Sequence, residues 1–530
     1  MQAPYLHTTV LNRRQLLQWL GAATTGLTLV ACAEAAPPAQ PEVAASPASQ
    51  PQRGGLLRIA FADTLTQLDP ALAVSNAEIA YGFTVFENLT SVDYTDPAYP
   101  VIPLLAKSWA TSEGGRVWTF QLRTGVKFHH DAALTAADVV YTMQRILDPA
   151  LGSAGNSQLQ LVEAVTAVDE RQVQFTLRSP HVEFPRVLST FALQIVPQGY
   201  TSEQLAATPS GTGPFRVQSH TAGERLVLVR NEAYWEQPLP YLDEVQHLYI
   251  TDPSAQQTAL LGETVDLLAQ VSAPTLALLQ AGPPLTIIEY PLGFYPLFAM
   301  RTDQPPFDDM RVRQALKHAV DRDALRKVVW REHGTAGNDQ PVSPASPFWA
   351  DAPALAYDVA KAKALLAEAG YADGLTVSLA VAEITPGIVD AAVVLQEMAK
   401  AAGITITLER TATDSYWAEK YMQTPFFVSF WPGLADPDEI LTFGYHSQGF
   451  FNESGWSKPE LDQAIEAARA ESDPANRQAL YADIQRVIAT EGGVLIPYFS
   501  PQFMAMRNTV QAVPPFVVPL VRGAWLVQES

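Results

Sequence analysis

Two hydrophobic periods run through the chain, and they alternate. Val117-Trp118-Thr119-Phe120-Gln121-Leu122 puts Trp118, Phe120 and Leu122 on one face, and Val173-Gln174-Phe175-Thr176-Leu177 repeats that period of two. Leu226 to Val229 is a short, continuous apolar run that fits a strand buried on both faces. Elsewhere the period is helical. Val139, Val140, Met143, Ile146 and Leu147 form one stripe, and Val312, Ala315, Leu316, Ala319 and Val320 form another. The boundaries carry their own signals. Thr135-Ala136-Ala137-Asp138 reads as a capping box, with Leu134 and Val139 as its hydrophobic staple. Ser457-Lys458-Pro459-Glu460 reads as a second box, stapled by Trp456 and Leu461. Asp358 suits the N-cap of a helix through Leu365 and Leu366 that stops at Gly370. Strands interleaved with helices predict an α/β protein of several lobes. There is no internal repeat.

The N-terminal pattern is different. Leu16 to Ala31 is apolar and uncharged, follows Arg13-Arg14, and is shorter than the roughly 20 residues a membrane span needs. Its length and flanks are those of a signal-peptide core, and the arginine pair is similar to a twin-arginine export signal. The run closes on Leu29-Val30-Ala31-Cys32, small residues before a cysteine, as a lipoprotein cleavage site requires. Cys32 is the single cysteine of the 530 residues, so no intramolecular disulfide can form, and acylation of its thiol is the expected role. Residues 32–53 are then dominated by Ala, Pro, Ser and Gln, too poor in apolar area to offset the entropy of ordering. They predict an extended tether between the lipidated end and a body that starts near Gly54-Gly55.

Charge and chemistry narrow the function classes. The formal charge is −21, and removing residues 1–31, which takes away Arg13 and Arg14 and no acid, leaves −23. Phosphate binding needs clustered Lys and Arg, so nucleic acid is excluded as a partner. There is no G-x-S-x-G elbow, P-loop, H-E-x-x-H or Rossmann glycine fingerprint, so no catalytic residues are assigned and the protein is not expected to be an enzyme. His129-His130-Asp131 is read as a surface turn, because adjacent residues rarely converge on one metal ion. Asp308-Asp309 is read as helix N-terminal charge before Met310. No cofactor and no resident metal are expected.

The order of the remaining motifs resembles the family 5 extracellular solute-binding proteins, which include the dipeptide-, oligopeptide- and nickel-binding proteins of ABC importers. The motifs are Leu68-Asp69-Pro70; Val85-Phe86-Glu87-Asn88-Leu89; Pro103-Leu104-Leu105-Ala106-Lys107-Ser108-Trp109; Leu122 to His129; Gly211-Thr212-Gly213-Pro214-Phe215; Arg230-Asn231-Glu232-Ala233-Tyr234-Trp235; Pro306 to Leu316, closing at Asp321-Arg322; Tyr357 to Gly370; and Asn452 to Asp462. The resemblance implies a periplasmic-binding-protein-like α/β fold of the cluster C type: two lobes joined by a hinge, with an extra domain on the first. On that pattern 54–91, 206–292 and 496–530 form lobe I, 92–205 the additional domain and 293–495 lobe II. It implies a monomeric, exported, lipid-anchored protein that encloses a small solute, a peptide by preference, and passes it to ABC permease subunits at the outer face of the cytoplasmic membrane or in the periplasm.

The resemblance also implies where ligand would touch. Val74, Ser75 and Asn76 follow the Asp-Pro turn, Phe294 and Tyr295 precede the Pro-Pro-Phe motif, and Trp417 matches a cleft tryptophan by context. Trp431, Leu434 and Asp436 belong to the tryptophan–loop–Asp-Pro element. Peptide binders carry an aspartate shortly after that tryptophan to pair with the ligand's ammonium group, whereas Pro432-Gly433-Leu434-Ala435 holds no acid. The alternatives are therefore an oligosaccharide, a modified peptide, or a nickel complex with His446 as the one nearby candidate ligand; a ligand sensor on the same fold and a surface hydrolase are the other function classes.

Overall fold

The structure, a computed structural model, describes residues 50–331, 333–351 and 355–527, apart from the side chains of 273, 274 and 414. Pro51–Ser530 is one compact unit. The apolar leader, Cys32 and the tether up to residue 49 lie outside the described residues, and so do the expectations that rest on them.

The hydrophobic pattern sorts the body into separate cores. Leu57, Ile59 and Phe61 on the strand Leu56–Phe61 meet Leu226, Leu228, Val245, Leu267 and the C-terminal Val518 and Val521 in a first core. A second core runs from Tyr295 to Phe499 in sequence and is centred on Leu297, Leu316, Leu379, Leu395, Phe427 and Ile488. A third gathers Trp118, Phe120, Leu122, Val139, Met143, Ile146, Val173 and Phe175, which are the strand and helix stripes of the sequence. Its four-stranded antiparallel sheet runs in the order Ala106–Ser112, Val117–Leu122, Gln172–Leu177, Val162–Asp169.

The first and second cores share one 12-stranded sheet. On the first side, Leu56–Phe61 pairs in parallel with Glu244–Tyr249 and with Leu267–Val271. On the second side, Leu375–Val381 lies parallel to Ile404–Arg410, with the helix Ile388–Lys400 between them in sequence as a crossover. Two long strands, Leu285–Met300 and Tyr498–Arg507, run antiparallel through the middle and belong to both sides. Their register is regular from Leu285–Arg507 to Tyr290–Gln502 and shifts between Tyr290 and Phe294. Gly293 sits in that shift at φ 54°, and a Cβ there would lie 2.0 Å from the Ser500 carbonyl oxygen, so only glycine fits.

Local expectations meet the structure closely, with exceptions. Asp138 accepts the Thr135 amide and hydroxyl at 2.8 and 2.9 Å at the start of the helix Ala136–Leu147. Asp358 caps Val359–Glu368 by accepting the Lys361 amide, and Asp309 caps Met310–His318. The box expected at Ser457–Glu460 does not form: the helix is Pro459–Ala470 and its N-cap is Lys458. Proline tolerates the first helical position, where its missing N–H is not needed, and this fixes the cap one residue later than the pattern suggested. The turn His129–Asp131 exists but is only partly at the surface, since His129 is buried with Nε2 3.0 Å from the Gly213 carbonyl. No helix among the described residues is long and apolar enough to cross a membrane.

Several motifs quoted above converge as scaffold. The buried Glu87 carboxylate accepts from Thr212 Oγ1 at 2.8 Å, Tyr234 OH at 2.7 Å and Trp235 Nε1 at 2.9 Å, joining three of them. Asn88 Nδ2 donates to the carbonyls of Leu188 and Thr190. Arg313 donates to the carbonyls of Phe307 and Glu491, and the buried Lys317 ammonium donates to that of Ala489 at 2.8 Å.

Candidate functional site

The chain passes between the first and second cores along Leu285–Met300 and returns along Tyr498–Arg507, and the candidate site is built around that crossing. Tyr290 and Leu292 on the outgoing strand pack with Val92 and Tyr99 in a small cluster of their own. Phe516 from the C-terminal segment closes it, with ring centroids 4.2 Å from Tyr94, 5.7 Å from Phe83 and 5.9 Å from Tyr290. A cavity of about 250 Å³ opens at the crossing, lined by Glu289, Pro291, Thr335, Pro344, Phe499 and Pro501 among others. Aromatic and proline walls beside a few polar groups suit a ligand that must shed its water.

Beside this cluster the third core meets the second across a charged seam. His181 Nε2 lies 3.1 Å from Asp438 Oδ2, and Arg469 Nε lies 2.9 Å from Asp438 Oδ1. Arg477 pairs with Glu183 at 2.7 Å, the Val182 amide donates to the Arg469 carbonyl at 3.1 Å, and Gln158 Nε2 donates to Glu439 Oε1 at 3.2 Å. Arg186 is held by its Nη2 on the Tyr99 carbonyl at 2.8 Å, while its Nε stands 3.8 Å from Glu183 and 4.0 Å from Asp436. Those last separations are ion pairs without a hydrogen bond, and both Arg186 Nε and Asp436 Oδ2 are buried without a hydrogen-bond partner. Burial pushes the Asp436 carboxyl up to about 6 and that of Glu439 up to about 7. Burial also acts against the Asp438 carboxylate, but His181 and Arg469 outweigh it and hold that group down at about 2.

The residues expected from the sequence fall into different surroundings. Ser75 is the N-cap of the helix Asn76–Val85, and Glu78 accepts the backbone amides of Thr66, Gln67, Val74 and Ser75, so Val74, Ser75 and Asn76 are all used in starting that helix. Val74 presents its side chain to solvent, 80% exposed. Phe294 is half-buried, 6.0 Å from the Phe430 ring. Tyr295 is wholly inside the second core, its ring tilted against that of Phe499 with centroids 5.2 Å apart, and its hydroxyl unpaired. Trp417 stands on the helix Thr413–Glu419, 43% exposed, 4.9 Å from the Tyr421 ring. Trp431 faces Tyr295 across the pair of strands and donates Nε1 to Glu453 at 3.2 Å. Leu434 packs against the second core. Asp436 is at the seam, and its Oδ1 accepts the Asp438 amide at 2.8 Å, which is the turn-capping geometry expected of an Asp before Pro. His446 lies 3.9 Å from Asp462 and 3.6 Å from Glu466, and no group of three metal-binding side chains occurs among the described residues.

What the sequence did not reveal is the opposing wall. Arg186, His181 and Glu183 come from the third core, more than 200 residues before the turn they face. Nothing in Pro180-His181-Val182-Glu183-Phe184-Pro185-Arg186 distinguishes it from an ordinary polar loop. Glu453 is a second omission. It is buried under Trp431 and accepts from Ser429 Oγ at 2.5 Å and Tyr421 OH at 2.8 Å, and burial raises its carboxyl to about 7.

Known proteins resemble this chain along most of its length. Residues 100–452 match the model of the bacterial extracellular solute-binding proteins, family 5 Middle. The di/tripeptide-binding protein 2 of Pseudomonas aeruginosa is 29% identical over 82% of this chain and 91% of its own length. The heme-binding protein A of Haemophilus influenzae is 27% identical over 75% and 78%. Among solved structures, a periplasmic binding protein of Helicobacter pylori in complex with the peptide STSA superposes with a TM-score of 0.76 at 23% identity, covering 90% of this chain and 98% of that one.

Proposed function

The chain belongs to the family 5 bacterial extracellular solute-binding proteins, and from that premise we propose that it is the lipid-anchored receptor of an ABC importer, which captures a peptide or similar small solute by hinge closure. The observation that carries this is the crossing. The first and second cores are joined within one sheet by two strands, and their register breaks at Tyr290–Phe294, between the parts committed to either side. A pair of strands with a local break bends more readily than the packed cores it links, which is the arrangement of a hinge. On this reading 54–91, 206–292 and 496–530 are one lobe, 293–495 the other, and 92–205 the additional domain whose seam with the second lobe forms as the cleft shuts. A solute that touches both sides stabilises the closed form through contacts the open form lacks.

The ligand class follows from what stands beside the crossing. Tyr94, Tyr99, Tyr290 and Phe516 pack into one aromatic cluster, and Arg186 opposite Asp436 puts both signs of charge next to it. A peptide backbone with charged termini matches that combination.

A thermal-shift screen tests the proposal. Di- to pentapeptides, oligosaccharides and nickel complexes are compared, and a bound solute at 100 times its dissociation constant adds roughly 2.7 kcal/mol, read as a rise of a few degrees. Peptide hits with silent sugars and metals are the expected result; a sugar or nickel hit with silent peptides would reassign the ligand. The anchor has its own test. Cys32→Ala is expected to move the protein from the membrane to the soluble fraction, and retention of the variant in the membrane would remove the lipoprotein assignment.

A further inference from the structure

Accepting hinge closure as above, we infer that the seam between His181–Arg186 and Asp436–Glu439 is a proton-operated latch, which holds the two bodies together more firmly in acid than in base and so sets how tightly a captured solute is retained.

The argument begins with an imbalance of charge at a buried contact. The carboxylates of Glu183, Asp436, Asp438 and Glu439 face the guanidinium groups of Arg186, Arg469 and Arg477, together with His181, Gln158, Tyr94 and Tyr481. Two of the acids are well matched: Asp438 has His181 and Arg469, and Glu183 has Arg477 at 2.7 Å. The other two are not. Among the described residues Asp436 has only Arg186 at 4.0 Å as a cation, shared with Glu183, and Glu439 has only the neutral Gln158 amide. A dry carboxylate without a close cation is costly, and it lowers that cost by taking a proton. Parting the bodies lets water reach the same groups and removes the cost.

The direction of the effect follows. Burial in the joined form raises Asp436 to about 6 and Glu439 to about 7, above the range of hydrated carboxyls. The joined form therefore binds protons that the parted form releases. Its advantage is fully present below the ordinary carboxylate range and is lost as pH rises through about 6 to 7. Asp438, held at about 2, stays ionised throughout that window and does not contribute to the change. Its pair with the Arg469 guanidinium, which stays charged at any pH used, instead supplies the part of the contact that pH leaves in place.

Hydrogen exchange on the full-length protein with no added solute tests the latch, with the Val182 amide as reporter because it donates across the seam to Arg469. After correction for the intrinsic pH dependence of exchange, protection of the segment around Val182 is expected to be at least about tenfold greater at about pH 5.5 than at about pH 8. The double variant Asp436→Asn with Glu439→Gln, which mimics the protonated acids, is expected to lose most of that difference. Asp438→Asn is expected to lose protection at both pH values. A flat wild-type profile overturns the proposal without any variant, and a double variant that keeps the wild-type pH dependence overturns it as well. Because no solute is present, either failure leaves the binding-protein reading standing, and a silent solute screen leaves the latch result intact.

Discussion

Replacing Asp339 with alanine is expected to cost about 3–5 kcal/mol, the range for removing one partner of a buried ion pair. Asp339 has no exposed surface, and its Oδ1 accepts from Arg322 Nε at 3.2 Å and from the Ile496 amide at 3.0 Å. Arg322, itself buried, spends its remaining donors on the carbonyls of Lys317, Val320 and Leu355. Without the carboxylate a guanidinium charge and a backbone amide are left dry together. Asp339 also sits at φ 63°, a left-handed conformation that Asp and Asn tolerate better than Ala. Asp339→Asn should therefore lose less than Asp339→Ala. Urea unfolding of the two variants decides it: an alanine variant within about 1 kcal/mol of wild type would mean the pair contributes nothing net, as some buried pairs do. The contact matters to function because Ile496 leads directly into the returning strand Tyr498–Arg507.

Gly433→Ala is expected to damage binding more than its size suggests. A Cβ at Gly433 would lie 1.9 Å from the Leu292 carbonyl oxygen and 2.7 Å from its carbonyl carbon. Both atoms are backbone of the crossing strand, and the Gly433 amide already donates to the Gly293 carbonyl at 2.8 Å. No side chain can swing away, so the turn must lift off the hinge. Overpacking of this kind costs about 1–3 kcal/mol in stability. The same turn carries Asp436, Asp438 and Glu439 to the seam, so affinity for any solute found in the screen should fall by about tenfold or more, equivalent to about 1.4 kcal/mol. Thermal unfolding and calorimetric titration separate the two effects. Unchanged affinity in a destabilised variant would show that the turn does not position the ligand wall.

The candidate site shows where sequence patterns stop. Trp431, Gly433, Leu434 and Asp436 were identifiable because they lie within one short element with a recognisable spacing. The partners of that element were not: Arg186 and His181 reach it only because the third core docks against the second. The motifs that carried the resemblance are largely internal braces, as Glu87 with Thr212, Tyr234 and Trp235 illustrates. They identify the fold because a buried hydrogen-bond network admits few substitutes, and for the same reason they say little about the ligand.

The sequence by itself determined the class of structure and the local elements. Periods of two and 3.6 residues set which faces are apolar, and caps such as Thr135–Asp138 and Asp358 set where helices begin, because both depend on neighbours a few residues away. The lateness of the Pro459 helix shows that even these cues yield to a single backbone constraint. The tertiary structure alone decided the opposing wall and the titratable seam. Those depend on which distant surfaces are pressed together and how much water is left between them. A carboxyl in Asp436-Pro437-Asp438-Glu439 reads the same along the chain whether it is hydrated or dry, and only its burial against His181, Gln158 and Arg186 gives the three acids three different affinities for a proton.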